Sequence, residues 1–404
     1  FISKKLFLSL KKTIFEKLVM KKLSVLLVLF VLLGAITFVN SQEIYFPERG
    51  DNWQTKPPSG LKVNADKLEL AVNFAKENEY SESKDLRVAI LNGFQREPFH
   101  YIAGPTKKRG GPAGVILKNG YIIAQWGDVN RVDMTFSVTK SYLSTVAGLA
   151  LDEGLISDVS DKTGDYVWDR TFDGEHNSKI TWAHLLNQSS DWSGELFGMK
   201  DWADRPPRDG GIDDWKNRKL NEPGTFFKYN DVRVNVLSYS LLQVWRKPLP
   251  QVLKEKIMDP IGASTTWRWF GYDHAWVNVD GLQMKSVTGG GHSGGGVFIN
   301  TLDHARFGLL FMNNGNWNGK QLISENWIEQ ATTPSTANES YGYMWWLNKG
   351  PRKIEGVPEH VFNASGFGGN YIVVDQINNL VIVTRWLNPS KMGEMMKLVY
   401  DSLK

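Results

Sequence analysis

The stretch "TFSVTKSYLSTVAGLALDEGLI", residues 135–156, sets a serine and a lysine three positions apart at the head of an apolar run. Tyr142, Leu143, Val146, Ala147, Leu149 and Ala150 recur at helical spacing and cover most of the surface, which predicts a helix buried at the centre of a domain. Gly154 stands where a helix C-cap is expected. A serine in the first turn of such a helix lies among backbone N–H groups with no intrahelical partner, and its own N–H can serve an oxyanion. Lys140, one turn on, shares its side of the helix and can reach the Ser137 hydroxyl. The competing reading is a capping serine beside a lysine that snorkels to solvent. Serine and lysine take this spacing four times, at Ser9, Ser59, Ser81 and Ser137, and only Ser137 opens an apolar helix.

Working outward, "PAGVILKNGYIIAQWG" (residues 112–127) holds two β-rich runs about Asn119-Gly120, a dipeptide that favours a two-residue hairpin. Strand character returns at "GGVFIN" (295–300) and at "YIVVDQINNLVIVTRW" (371–386), and a helix over 389–404 closes the chain. Residues 64–79 also read as helix. The expected class is α+β: an antiparallel sheet built from the N- and C-terminal parts and flanked by helices, with an inserted, mostly helical region. The sheet region spans about 61–135 plus 286–404, and the helical region about 136–285.

Before this domain, "MKKLSVLLVLFVLLGAITFVNSQ" from Met20 has a basic pair, an apolar run and small residues, the layout of a secretory signal peptide over 20–41. Residues 1–19 then read as an upstream translated segment, 42–60 as an extended arm, and 61–404 as the folded domain. The expected location is periplasmic or secreted, with no stable membrane anchor once the signal is removed. Residues 1–41 hold seven lysines and one glutamate, so without them the formal net charge moves from +4 to −2. Nothing in that balance asks for nucleic acid as a partner. The chain has no cysteine, which excludes a cysteine nucleophile, a thiolate metal site and a lipidated anchor.

"NEPGTFFKYNDVRVNVLSYSLLQV" (221–244) places Tyr229 at a loop-to-helix junction. A tyrosine held beside a lysine can take a proton from serine; on its own it reads as a loop aromatic. Ser137-x-x-Lys140, then Pro223-Gly224-Thr225 leading to Tyr229, then the Gly-rich "NASGFGGNYIVV" (363–374) together resemble the serine β-lactamase and penicillin-binding-protein superfamily. The similarity covers most of residues 60–404 and includes "LLNQSSDW" (185–192) and "GGGHSGGGVFINTLDHARFGLLFMNNG" (289–315). The chain looks most like the class C β-lactamase-related hydrolases, which include esterases and 6-aminohexanoate dimer hydrolases. By that resemblance Ser137 is the acyl-accepting nucleophile, Lys140 its activator and Tyr229 the second base, with the backbone N–H groups of Ser137 and Phe367 facing the oxyanion. Asn230, Asp231, His292, Ser365, Gly366, Trp192 and Trp345 are the substrate-pocket candidates. Two positions depart from the family pattern. Asp231 replaces the asparagine of Tyr-x-Asn, leaving Asn230 or Asn235 as possible amide donors. Ala364-Ser365-Gly366 replaces Lys-Thr-Gly, so the cation that would meet a β-lactam carboxylate is missing.

Gly291-His292-Ser293-Gly294-Gly295 also fits the nucleophile elbow of α/β-hydrolases, but strand rather than helix follows it. The seven histidines show no metal-ligand spacing, and neither metal nor cofactor is expected. The expected activity is hydrolysis of a small-molecule ester or amide through an acyl-enzyme on Ser137. The alternatives are a linear amide or oligomer hydrolase, a D-amino-acid peptidase or weak β-lactamase, and a penicillin-binding-like receptor that acylates without turnover. The oligomeric state is not legible in the sequence.

Overall fold

Asn119 and Gly120 both adopt positive φ, 52° and 83°, the backbone that joins two right-twisted strands in two residues. In the computed structural model, which describes Met20, residues 44–50 and residues 52–404, they connect Ala113–Lys118 (β1) to Tyr121–Trp126 (β2). The expected signal peptide lies outside the described residues, apart from Met20. Residues 45–404 form one compact unit. Among the described residues no helix is long and apolar enough to cross a membrane.

The remaining strands that position the site are Asp133–Met134 (β3), Arg268–Phe270 (β4), Gly296–Ile299 (β5), Trp346–Leu347 (β6), Phe362–Gly366 (β7), Asn370–Asp375 (β8) and Leu380–Arg385 (β9). One antiparallel sheet runs β6-β7-β8-β9-β1-β2, so the first hairpin pairs directly with the last strand, Ala113 opposite Arg385 and Lys118 opposite Leu380. A second sheet runs β3-β5-β4. The expected sheet from both ends of the chain is therefore present.

The longer helices are Ala65–Glu77 (α1), Leu86–Gly93 (α2), Thr139–Asp152 (α3), Asp231–Trp245 (α4), Thr301–Met312 (α5) and Met392–Ser402 (α6). α1 and α6 pack together over one face of the large sheet, where Leu68, Ala71, Met395 and Val399 meet Ile116 and Ile382 in a shared core. α5 packs against β1, β8 and β9. α3 is buried at every position from Thr139 to Ala150, as its all-round apolar pattern predicts. Gly154 follows it with φ 69°, the left-handed residue that ends the helix.

The region 136–285 is less uniformly helical than expected. It contributes β4 to the second sheet and a hairpin, Trp276–Val279 with Leu282–Lys285. In β4 only Trp269 points inward while Arg268 and Phe270 stay exposed, so the alternation lasts three residues, too few for a periodic signal. The arm from Tyr45 to Pro57 lies along the β1–β2 hairpin: Tyr45 N–H donates to Asn119 O and Trp53 Nε1 to Gly120 O.

Arg385, at the end of β9, is buried and ties the two sheets together. Its guanidinium donates to Asn370 Oδ1 at 2.7 Å in the large sheet, and to Ile299 O at 2.9 Å and Met134 O at 3.0 Å in the small one. Replacing it by Met would strand three buried acceptors, each costing roughly 1–3 kcal/mol. Arg385→Met is expected to lower the unfolding free energy from urea titration by an amount on the order of 3 kcal/mol, read by tryptophan fluorescence.

Candidate active site

Ser137 sits in a single 3₁₀ turn, Phe136–Val138, that feeds directly into α3. The residue before it, Phe136, is held at φ 50°, a left-handed conformation that a bulky side chain adopts only when its surroundings fix it. Those surroundings are aromatic: Phe367 lies 5.0 Å and Trp386 6.4 Å from its ring. On the other side, His304 bridges Thr135 Oγ1 at 2.8 Å and Tyr142 Oη at 2.9 Å. Burial holds this imidazole neutral by pushing its pKa well below the usual histidine value, so one hydroxyl donates to it and the other accepts. The turn is thus fixed from both sides while Ser137 itself stays partly exposed.

Lys140 does not snorkel; it is 1% exposed. Its Nζ lies 2.9 Å from Ser137 Oγ and 2.5 Å from Asp231 Oδ1. Asp231, the position where the family pattern has asparagine, is thus the counter-ion of the lysine. Burial by itself would raise its pKa, but the Lys140 charge, followed by Arg205 and His292, outweighs burial and holds the carboxyl well below the usual carboxylate range. Arg205 Nη1 stands 2.6 Å from Asp231 Oδ2, close in charge although that oxygen has no aligned hydrogen-bond donor. The Asp231 N–H donates to Asp204, which also pairs with Arg205 at 2.6 Å.

Tyr229 presents its ring to this group. Lys140 Nζ lies 4.6 Å and Arg205 Cζ 5.1 Å from the ring centroid, and Trp346 stacks on it at 5.7 Å. The loop is braced by Gln188, whose Oε1 accepts from Asn230 N–H and whose carbonyl accepts from Lys228 N–H. Gly290 explains part of the glycine run: a Cβ there would overlap both Asp231 Oδ1 and Lys140 Nζ, so only glycine lets this backbone close over the pair.

The structure brings Ser137, Lys140, Tyr229 and Asp231 together, with Gly366 at the end of β7 packed against Thr135 O and Val138. Phe367, the next residue, packs its ring against Phe136 beside Ser137, and Ser365, one residue before Gly366, is half-buried. Several pocket candidates require correction. Trp345 is fully buried among Phe307, Phe311 and Phe362, and Trp192 is buried with Nε1 donating to Thr171 O, so both belong to the core. Asn230 caps α4, its Oδ1 accepting from Arg233 N–H and its Nδ2 donating to Asp201 O. Asn235 accepts from Gly289 N–H through Oδ1 and turns its Nδ2 to Tyr272 Oη at 3.5 Å. Neither amide is left to hold a substrate carbonyl, and Asp231 is engaged by Lys140. Ser293 is buried in a glycine turn followed by β5, so the elbow reading fails as expected.

His292 is buried between Glu97 Oε2, 2.6 Å from Nε2, and Arg205 Nη2, 3.1 Å from Nδ1. A cavity of about 230 Å³ ends on His292 and Asp231 and is also lined by Glu97, His100, Asp204 and Tyr272. Burial, then the neighbouring His292, lowers His100 to about 4. Glu97, His100 and His292, and likewise Asp204, Asp231 and His292, bring ligand-type atoms within 4.8 Å. The Arg205 guanidinium already supplies the cation there. Both His292 nitrogens are engaged, Nδ1 by Arg205 Nη2 and Nε2 by Glu97 Oε2, which leaves neither for a metal. Sequence reading missed Arg205, Glu97 and Gly290; only the glycine run at 289–291 hinted at a close approach.

With this geometry in hand, three comparisons bear on the chain. The family model described as Beta-lactamase matches residues 109–386. The chain is 23% identical over 288 residues to 6-aminohexanoate-dimer hydrolase of Paenarthrobacter ureafaciens, covering 63% of this chain and 67% of that protein. It is 24% identical over 195 residues to an Escherichia coli O157:H7 protein with a provisional assignment as D-alanyl-D-alanine carboxypeptidase, spanning 40% of this chain and only 45% of that relative. In fold it resembles a family VIII carboxylesterase, with TM-score 0.56, 18% identity, and coverage of 86% of this chain and 98% of the other. A penicillin-binding protein homologue from Caulobacter crescentus gives TM-score 0.55 at 14% identity, over 84% and 98% of the two chains.

Gly290→Ala is expected to separate Lys140 from Asp231. Turnover of any substrate processed at Ser137 should fall by about 100-fold or more, while the far-ultraviolet circular dichroism stays unchanged.

Proposed function

Since the chain belongs to the Beta-lactamase family and is a serine hydrolase, we propose that it cleaves a small ester, or a small amide, through an acyl-enzyme on Ser137. The observation that carries this reading is the 2.9 Å contact between a buried Lys140 and a partly exposed Ser137 at a clamped helix start. In the proposed reaction Ser137 Oγ attacks the substrate carbonyl carbon, and the carbonyl π pair moves onto oxygen, facing the backbone N–H groups of Ser137 and Phe367. The serine proton passes to the oxygen of Tyr229 acting in its phenolate form, which becomes the phenol, with Lys140 polarising Oγ. As the tetrahedral intermediate collapses, the bond to the leaving oxygen or nitrogen breaks and Tyr229 returns the proton to that group. Water then attacks the acyl-enzyme by the same route, releasing the acid and restoring Ser137.

Ester cleavage stands ahead of β-lactam cleavage because Ala364 is 1% exposed and lies on the β7 face shared with Gly366. No cation at that position meets a substrate carboxylate. The name of the Paenarthrobacter relative supports linear amides as the second reading, and that of the carboxylesterase neighbour supports esters. The basic and apolar segment from Met20 supports export before the reaction takes place.

The test is hydrolysis of a short-chain p-nitrophenyl ester by the wild type and by Ser137→Ala, with intact mass recorded during turnover. The wild type should turn over and carry a transient acyl mass that the variant lacks. A stoichiometric burst with no steady state would instead identify a receptor that acylates without release. For the same protein, kcat/KM for the chromogenic cephalosporin nitrocefin is expected to lie at least about 100-fold below that for the ester, the equivalent of losing a charge-assisted contact to the substrate carboxylate.

A further inference from the structure

Resting on the serine reading, we propose that Asp231 and Arg205 are a pair of positioning residues that fix Lys140 and Tyr229, and that Glu97 anchors the pair through His292. An ammonium has three N–H bonds. On Lys140 they meet Ser137 Oγ at 2.9 Å, Asp231 Oδ1 at 2.5 Å and the face of the Tyr229 ring. An asparagine at position 231 could accept the second of these but could not neutralise the charge. Asp231 does both, with its Oδ1 2.5 Å from the ammonium.

A carboxylate with one oxygen on Lys140 needs a second partner for the other, or its orientation is free. Arg205 supplies it. Nη1 stands 2.6 Å from both Asp231 Oδ2 and Asp204 Oδ1, Nη2 reaches His292 Nδ1, and Cζ lies over the rings of Tyr229 and Phe94 at 5.1 and 5.4 Å. The Arg205 backbone is itself held, at φ 46°, by its N–H donating to Glu97 Oε1 at 3.1 Å. The other oxygen of Glu97 accepts from His292 Nε2, so one carboxylate grips the arginine by its backbone and by the imidazole beneath its guanidinium. The groups facing Asp231 are therefore Lys140 from α3, Asp204 and Arg205 from the 197–228 loop, His292 from the glycine segment, and the hydroxyl-bearing rings of Tyr272 and Tyr341. With Asp231 neutral, Lys140 and Arg205 would face each other across an uncharged side chain while both remain against the Tyr229 ring.

The arrangement predicts non-additive losses, which a merely structural role would not produce. With a short-chain p-nitrophenyl ester, Asp231→Asn should lower kcat by about 100-fold and Arg205→Met by about 10-fold, each with KM within about threefold of wild type. The double variant Asp231→Asn/Arg205→Met should be no slower than Asp231→Asn alone, because removing the arginine relieves the unbalanced cation. Arg205→Lys, which keeps the charge but not the fork, should fall between Arg205→Met and wild type. Losses that multiply to about 1,000-fold in the double variant, or wild-type kcat in Arg205→Met, would overturn the proposal. If Asp231→Asn does not fold, Arg205→Met against Arg205→Lys still decides it: equal kcat in the two rejects the role of the guanidinium. Acyl mass on Ser137 separates the two readings. Its absence in the wild type removes the serine reading itself, whereas its presence with unaltered kcat in the variants removes only the positioning pair.

Discussion

A lysine and an aspartate buried to within a few per cent of full occlusion, 2.5 Å apart, set the terms for everything around Ser137. Removing two such charges from water costs several kcal/mol per ion, and their attraction offsets this only when the geometry is good and the remaining lone pairs are met. The surrounding structure supplies most of this. Gly290 lets the backbone close over the pair, Arg205 sets its charge 2.6 Å from the outer carboxylate oxygen, and Ser137 Oγ accepts the inner N–H. A second buried network stiffens the neighbouring loop, where Asp191 is gripped by Arg218 and Arg233, with Asp201 beside them. Asp191, Arg205 and Arg218 lie in irregular segments whose shape no hydrogen-bonded ladder dictates, and there ion pairs to the helical Lys140, Asp231 and Arg233 network do the fixing that strands and helices do elsewhere.

The parts of the site that the sequence discloses are those with local physical signatures. The all-round apolar spacing of 139–150 disclosed a buried helix, and burial of the helix brought Lys140 inward with it. Asn119-Gly120 disclosed its hairpin because only residues tolerant of positive φ can turn in two positions. Asp231 was visible as a departure from a family pattern, but its partner lies 91 residues away, and nothing local says that a loop aspartate will find a lysine. His292 was named as a pocket candidate, but its contact with Arg205, 87 residues away, was opaque for the same reason.

The tryptophans show the reverse error. Trp192 and Trp345 lie in short or irregular segments, which suggested a lining for a pocket, yet both are buried. A large aromatic in a loop is as often the means by which the loop is pinned to the core as a surface for ligand. Periodicity cannot tell these apart, since it reports on regular elements only.

The pairing of β1 with β9 bears on how the molecule comes into being. Ala113 and Arg385 are partners, and the arm at Pro47 and Glu48 is held by Arg306. The strand pairing cannot form until Arg385 has been made, nor the arm contact until Arg306 has, and contacts so distant along the chain slow folding. During synthesis the hairpin of β1 and β2 must wait, with one edge unsatisfied, for the strand that opens at Leu380. That interval leaves a bare strand edge within reach of a holding chaperone.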